Sequence, residues 1–217
     1  MADSRRVRRR PAGEAGRVEA AVGALLRALP LPEGERARRD LDLAGTPRRV
    51  AEAWLLDLVD GYRADPARIL AESMEATGRD LVAVTGIDFH SMCPHHLLPS
   101  RGVAHVAYVP GKRVVGFGQI ARLVDCFAHR LILEEDLARR IAEALVRHLG
   151  ARGAAVLLDA EQACLTVRGE RRTRARAHAQ CFVGVLARDR SLQARFLEAV
   201  GAGSRSRGPR SRSGARP

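Results

Sequence analysis

The feature that most restricts the fold of this chain is a predicted helix pair, which separates two groups of predicted strands. The runs with strand composition are 81–89, 102–109, 113–117, 154–160, 163–168 and 177–186. Helices are predicted over 119–130 and 134–149, with Gly150 as the C-cap of the second, and a last helix near 191–199. Because the strands precede and follow a helix pair rather than alternating with single helices, we expect an α+β fold with a largely antiparallel sheet.

Three further helices are predicted ahead of the first strand. Residues 20–29 are rich in good helix formers with apolar residues on one face. The next helix, 46–61, has the better start signal, because Thr46 is a suitable N-cap and Pro47 suits the first helical position. A short helix is expected over 66–74. These helices form an N-terminal addition to the sheet.

The net charge of +12 lies mainly in the two ends of the chain. Residues 1–11 contain five arginines and one acid, and residues 201–217 contain five arginines and no acid. The second segment has no residue larger and more apolar than Ala or Pro, and the first looks similar. Both are predicted to be disordered around a folded domain at 12–200. Neither carries the aromatic residues that stack on bases, so nucleic acid is not the expected partner.

Cysteine content and hydropathy together indicate the compartment. Four cysteines are too few and too irregularly spaced for a disulfide-stapled secreted domain. No apolar run approaches the roughly 20 residues that a membrane span needs, and the Arg-rich N-terminus lacks the apolar segment of a signal peptide. We therefore expect a cytoplasmic protein without membrane contact. In a reducing compartment a cysteine close to histidines is a candidate metal ligand or nucleophile.

The stretch Cys93-Pro94-His95-His96 is the clearest candidate for chemistry. A cysteine and a histidine in one turn can reach the same ion, and thiolate with imidazole suits Zn²⁺. Taken alone, the motif is equally compatible with a structural role. The other cysteines predicted on strands are Cys164 and Cys181, whereas Cys126 falls on an apolar helix face and is interpreted as a small buried hydrophobe.

Five ordered motifs between residues 40 and 200 turn this candidate into a specific resemblance. They are TPRRVAEAW, CPHHLLP, AHVAYVP, VVGFGQIARLVD and DAEQACLTVRG. In this order and at these spacings the chain resembles the GTP cyclohydrolase I family. The resemblance implies the tunnelling fold (T-fold), with N-terminal helices at 12–79 and the sheet core at 80–200. It also implies a homodecamer of two stacked pentamers, whose active sites are built across subunit boundaries.

The resemblance also assigns roles to individual residues. It implies one Zn²⁺ bound by Cys93, His96 and Cys164, with water in the fourth position. The implied substrate is GTP, whose imidazole ring opens to a formamide that is then hydrolysed to formate and dihydroneopterin triphosphate, in a tetrahydrofolate-type pathway. The remaining matches are His95 for proton transfer at the guanine, Glu135 for the guanine edge, and Arg49, Arg122 and Arg168 for the phosphates.

Several positions depart from the family pattern, and most of them concern later steps or phosphate binding. Gln162 stands where the family has a histidine that supports formamide hydrolysis, and Gln cannot shuttle a proton near pH 7. Gln119 replaces a phosphate-facing lysine, and Glu52 replaces another. Glu134 replaces a glutamine beside Glu135. The predicted zinc ligands and His95 are retained.

These departures leave three interpretations open. The chain is an ordinary GTP cyclohydrolase I in which another group, such as His90 or His178, replaces the missing histidine. Alternatively, it is a divergent paralogue that stops at a formamidopyrimidine or uses a less phosphorylated purine. In the third, it is a non-catalytic regulatory or nucleic-acid-binding protein. Because ring opening retains its groups and formate release loses one at Gln162, the sequence predicts that a formamidopyrimidine accumulates.

Overall fold

A computed structural model describes residues 13–37, 41–168 and 171–206 of the chain. The chain divides into two compact units, Met1–Asp60 and Gly61–Pro217. The segment 1–11 and most of the segment 201–217, both predicted to be disordered, lie outside the described residues. Within those residues no helix is long and apolar enough to cross a bilayer.

The first unit is helical. Its helices are α1 (Glu14–Ala28), α2 (Glu33–Ala37) and α3 (Thr46–Ala53), and α3 continues as a π-helical turn over Trp54–Leu58. Helix α1 packs against α3. The expected N-cap at Thr46 is wrong, because a 3-10 turn over Leu43–Gly45 leads directly into α3 and makes Thr46 its first residue.

The second unit contains a four-stranded antiparallel sheet in the order β2-β3-β5-β6. The strands are β2 (Val82–Met92), β3 (Pro99–Val109), β5 (Gly153–Gln162) and β6 (Ala177–Gly184). A smaller antiparallel pair joins β1 (Ser73–Glu75) to β4 (Arg113–Val115). The buried Tyr108 hydroxyl accepts a hydrogen bond from the Val115 backbone N–H at 3.2 Å and so ties the two sheets together. The predicted α+β class and antiparallel pairing are confirmed.

A helix pair covers one face of the large sheet. It consists of α5 (Phe117–Ala128) and α6 (Glu134–Ala144), and α6 continues as a π-helical turn over Leu145–Leu149. Helix α5 packs against β2, and α6 packs against β5 and β6. Side chains with little or no exposure fill this interface: Val106, Ile120, Leu123, Leu137, Ile141, Val156 and Leu158. The hydrophobic effect of burying these side chains holds the pair on the sheet.

The opposite face of the sheet carries the last helix, α8 (Arg190–Ser206). Side chains alternate along a strand, so Ala107 and Ala155 point to this face and pack near the fully buried Phe196. Helix α8 extends past residue 201, where the sequence predicts a disordered tail. Gly203 lies against β2, where a Cβ would approach Thr85 Oγ1 to 2.9 Å, so α8 stays close to the sheet beyond residue 201.

Two predicted elements differ in type. The segment 66–74 was expected to be one helix, but α4 ends at Ala71 because the following residues pair with β4. The run 163–168 was expected to be a strand, but Ala163–Thr166 forms a short helical turn, α7. Thr166 Oγ1 donates a hydrogen bond to the Gln162 carbonyl at 3.2 Å, which favours the turn over continuation of β5.

Candidate metal centre

The loop of the β2–β3 hairpin holds the CPHH motif. Met92 pairs with Pro99 at the hairpin end, so residues 93–98 form the loop. The Cys93 N–H donates to the Leu98 carbonyl, and the Leu97 N–H donates to the Cys93 carbonyl, both at 2.9 Å. These hydrogen bonds close the loop and hold Leu97 in a left-handed conformation, with φ of 53°.

Strand register brings Cys164 to this loop. Ser100, near the start of β3, pairs with Gln162 at the end of β5. Because α7 begins directly after Gln162, Cys164 lies at the same end of the sheet as the loop that precedes β3. The helical turn that replaces the predicted strand therefore places this thiol next to the CPHH motif.

Three potential ligand atoms meet at this end of the sheet. The thiol sulfurs of Cys93 and Cys164 and a ring nitrogen of His96 lie within 4.8 Å of one another, and Cys93 Sγ is 3.8 Å from His96 Nδ1. A tetrahedral Zn²⁺ with two sulfur ligands and one nitrogen ligand separates its ligand atoms by about 3.6–3.8 Å. The donor set and its spacing therefore fit such a metal with small side-chain adjustments.

The electrostatics of the thiols are consistent with a ligand role. Burial raises the pKa of Cys164, and the neighbouring Cys93 thiol raises it further. Both effects disfavour the thiolate form of Cys164 when no cation is bound beside it. A cation shared by the two sulfurs would supply the charge that stabilises their thiolates.

Glu134 is a buried carboxyl at the start of α6. Its residue exposure is 5%, and among the described residues neither carboxyl oxygen has a hydrogen-bond partner. Burial raises its pKa to about 7, and the neighbouring Glu135 charge adds to this increase. Glu134 is therefore partly protonated near neutral pH. Glu135 itself is exposed at the helix start.

Gln162 lies next to the metal-ligand cluster. The Cys164 thiol donates to Gln162 Oε1 at 3.6 Å, and the nearby Gln162 side chain slightly offsets the increase in the pKa of Glu134. Gln162 is half-buried, as is Cys164. The structure thus places Gln162 in direct contact with one of the three candidate ligands.

The remaining predicted residues lie in different surroundings. His95 is exposed, and its ring meets that of His96 edge-on at a centroid distance of 6.2 Å. Arg168 is also exposed, and its charge lowers the pKa of Cys164, so it acts on the cluster. Arg49 belongs to the first unit, where it forms an ion pair with Asp42.

Gln119 and Arg122 share an acidic partner that the sequence interpretation missed. Gln119 Nε2 donates to Glu72 Oε2 at 2.6 Å, and Arg122 Nη1 lies 3.5 Å from the same oxygen. Nothing in the sequence pattern marked Glu72. It reaches the two residues only because α4 packs against α5.

The two histidines considered as replacements at position 162 have other neighbours. The His90 ring stacks on His129 with centroids 4.1 Å apart. His178 Nδ1 is 3.7 Å from the Asp159 carboxylate, and Arg176 also binds that carboxylate. Neither histidine belongs to the described group of metal-ligand candidates.

Two thiols and an imidazole gathered at one end of the antiparallel sheet form a donor set that could hold a metal ion, as in metal-dependent enzymes. The sequence model of the family described as GTP cyclohydrolase I matches residues 18–201. The protein named GTP cyclohydrolase 1 from Ralstonia nicotianae is 43% identical over 202 residues, which cover 92% of this chain and 93% of that protein. Its namesake from Chromobacterium violaceum is 46% identical over 155 residues, which cover 71% and 75% respectively.

The chain therefore belongs to the GTP cyclohydrolase I family and is a hydrolase of that type. The resemblance inferred from its motifs is confirmed. Among solved structures, the crystal structure of the archaeosine synthase QueF-Like in the apo form gives a TM-score of 0.41 at 18% identity, covering 50% of this chain and 97% of that one.

Proposed function

We propose that this protein is a zinc-dependent GTP cyclohydrolase I that opens the imidazole ring of GTP and hydrolyses the resulting formamide. The products are formate and dihydroneopterin triphosphate, in a tetrahydrofolate-type pathway of the cytoplasm. The observation that carries the proposal is the Cys93–His96–Cys164 cluster in a chain of this family. A bound Zn²⁺ with these three ligands would supply an activated water, because zinc lowers the pKa of bound water towards neutrality.

The residues around the cluster suit separate roles in the proposed reaction. His95 is exposed on the same loop as two of the ligands, which suits a group that moves protons at the guanine. Glu135, at the exposed start of α6, is available to accept hydrogen bonds from the guanine edge. The guanidinium of Arg168 acts on the cluster and suits a phosphate.

We propose that three further residues contact the triphosphate: Gln119, Arg122 and Arg49. Both Arg122 and Arg49 pair with carboxylates in the structure, with Glu72 and Asp42 respectively. A triphosphate carries more negative charge than a single carboxylate and would compete well for each guanidinium.

We propose the T-fold for the segment 80–200, with 12–79 as its N-terminal helical addition, and assembly into a decamer of two pentamers. Two features support the assembly. Strands β2 and β6 end the order of the described four-stranded sheet and leave edges that a neighbouring subunit could pair. Large apolar side chains near the cluster are exposed, namely Leu97, Leu165 and Val167.

A second candidate is a reaction that stops at the formamidopyrimidine, and Gln162 favours it. The Gln162 side chain contacts Cys164, yet it carries no titratable group. Product analysis after incubation of the zinc-loaded protein with GTP, GMP and guanosine distinguishes the candidates. Formate and a fluorescent pterin support the full reaction, whereas a formylated pyrimidine supports the second candidate. No change in any purine would contradict both.

A further inference from the structure

Two adjoining cavities beside the helix pair have no role in the proposed function. The first, of about 330 Å³, is lined by Tyr62, Arg130 and the segment 131–133 that leads into α6. The second, of about 270 Å³, lies along α6 beside Phe127. Arg140 lines both cavities, and none of the three candidate metal ligands lines either one. Joined at this arginine, the two cavities fall within the size range of small-molecule sites, ~300–1,000 Å³.

The charged side chains that line the cavities are mainly positive. They are four arginines and two acids: Arg130, Arg139, Arg140, Arg147, Asp136 and Glu143. Arg139 binds both acids, with its Nη2 2.6 Å from Asp136 Oδ1 and its Nη1 3.4 Å from Glu143 Oε1. Within residues 13–37, 41–168 and 171–206, Arg140 and Arg147 form no ion pair. These two arginines are seven residues apart on α6, roughly 10 Å along the helix. A ligand with several negative groups in a row, such as a chain of phosphates, is complementary to them.

The Arg130 guanidinium is fixed at the first cavity by its neighbours. Its Nε donates to the Cys126 carbonyl at 2.7 Å, and its Nη2 donates to the Cys126 sulfur at 3.4 Å. The guanidinium carbon lies 5.6 Å from the centroid of the Tyr62 ring and 5.0 Å from that of the Phe127 ring. Among the residues that the structure describes, Nη1 forms no hydrogen bond. Because the group is already ordered, it loses little conformational freedom when it binds a phosphate oxygen.

Tyr62 presents an aromatic ring at the end of the first cavity. Its hydroxyl accepts a hydrogen bond from the Leu131 N–H at 3.2 Å, and Arg130 lies over the ring. The residue is nevertheless 58% exposed. An ordered and exposed ring can stack on a planar base, and such stacking tolerates different bases because each of them has a π-face.

We propose that the two cavities form a second nucleotide-binding site, with the base against Tyr62 and the phosphates extending past Arg140 to Arg147. The order of the lining residues sets this orientation, because Tyr62 lines only the first cavity and Arg147 only the second. Stacking and charge recognise the ligand, so its class is a nucleoside triphosphate of any base. Pro94 of the CPHH loop also lines the first cavity, and a bound nucleotide therefore borders the loop that carries two candidate metal ligands.

Equilibrium dialysis of the full chain with ATP tests the proposal, because ATP lacks the guanine edge that the proposed catalytic site recognises. The wild type should bind ATP. Tyr62→Ala should weaken binding about tenfold by loss of stacking, and Arg140→Gln should weaken it about tenfold by loss of a charge-assisted hydrogen bond. Tyr62→Phe retains the ring and should bind within about threefold of the wild type. Absence of binding to the wild type, or affinity unchanged in either of the first two variants, would overturn the proposal.

Two control variants separate this site from other ways of binding ATP. Arg195→Gln removes the same charge as Arg140→Gln from an exposed position on α8, across the sheet from the helix pair, and should leave binding unchanged. If it weakened binding equally, the attraction would come from net charge and not from the cavities. Arg168→Gln removes a proposed substrate contact and should also leave ATP binding unchanged. Loss of binding in Arg168→Gln would place ATP in the catalytic site and overturn the proposal.

Inorganic triphosphate tests the contribution of the base. It carries the same chain of phosphates without a ring, so it should bind at least about fivefold more weakly than ATP. Equal affinities of the two ligands would overturn the stacking of a base on Tyr62. Failure of the wild type to open GTP would contradict the proposed function and leave these binding measurements intact.

Discussion

Glu72 binds Gln119 through a 2.6 Å hydrogen bond between its carboxylate and the amide Nε2, across the contact between the end of α4 and the start of α5. The same carboxylate lies 3.5 Å from Arg122. Both partners are residues that we propose for triphosphate binding. In the free protein an acid therefore occupies the groups that the substrate would use.

Glu72→Gln should increase the affinity for GTP, because Arg122 would no longer be paired with a carboxylate. Exposed ion pairs contribute up to about 1 kcal/mol, so we expect KM to fall by about two- to fivefold with little change in kcat. Steady-state kinetics with the zinc-loaded protein measure this effect. Glu143→Gln removes a comparable acid paired with Arg139 and should leave KM unchanged. An equal effect of both variants would indicate net charge and not the Glu72 contact.

Metal content should depend on Cys164 and not on Cys126. Cys164→Ser removes one of the clustered sulfurs and should reduce bound zinc to well below one ion per chain. Cys126 lies elsewhere, where its sulfur contacts the Ala64 carbonyl at 3.6 Å and Arg130 at 3.4 Å. Cys126→Ser should therefore retain the metal. Metal analysis of the purified proteins, checked by circular dichroism for folding, decides between these outcomes, and equal zinc in the two variants would contradict the ligand assignment.

The large sheet and its helix pair were predictable because their patterns are local. Runs rich in Val and other apolar residues mark β2 and β3, and the apolar stripe of α6 repeats at helical spacing. The same stripe also predicts that Glu134 is buried, which the sequence interpretation missed. Leu137, Ala138 and Ile141 lie three, four and seven residues after Glu134 and are fully buried, so Glu134 occupies the buried face of the same helix.

One missed feature depends on a local side-chain hydrogen bond, and another depends on a contact between distant parts of the chain. The run 163–168 has strand composition, yet it turns into α7 because Thr166 bonds back to the Gln162 carbonyl. Glu72 meets Gln119 only through packing of two helices. Strand propensity does not reveal the first arrangement, because a side-chain hydrogen bond to the backbone overrides it, and the second depends on helix packing that residue propensity does not describe.

Gly102 should be intolerant of a side chain. It pairs with Ala160 across β3 and β5, and a Cβ at this position would lie 2.3 Å from the Asp159 carbonyl oxygen. Because the obstacle is backbone, relief requires movement of the strand, and Gly102→Ala should destabilise the protein by about 1–3 kcal/mol. Gly201→Ala, on α8 with open space around the new methyl, should be neutral or stabilising. Thermal unfolding of both variants measures the difference, and equal melting temperatures would contradict the close packing of β3 on β5.

Glu134 should make folding stability decrease between about pH 4.5 and about pH 7. Its ordinary pKa is 4.5, and burial raises the folded value to about 7. Across that range the folded protein retains a proton that the unfolded chain has lost, so the free energy of unfolding falls as the pH rises and then levels off. The decrease attributable to this residue is roughly 2–4 kcal/mol. Urea unfolding of the wild type and Glu134→Gln at several pH values isolates it, since the difference between them should grow across this range and be constant above it. Glu143→Gln, exposed on the same helix, should follow the wild type. Parallel curves for the wild type and Glu134→Gln would show that the carboxyl is not buried in its neutral form.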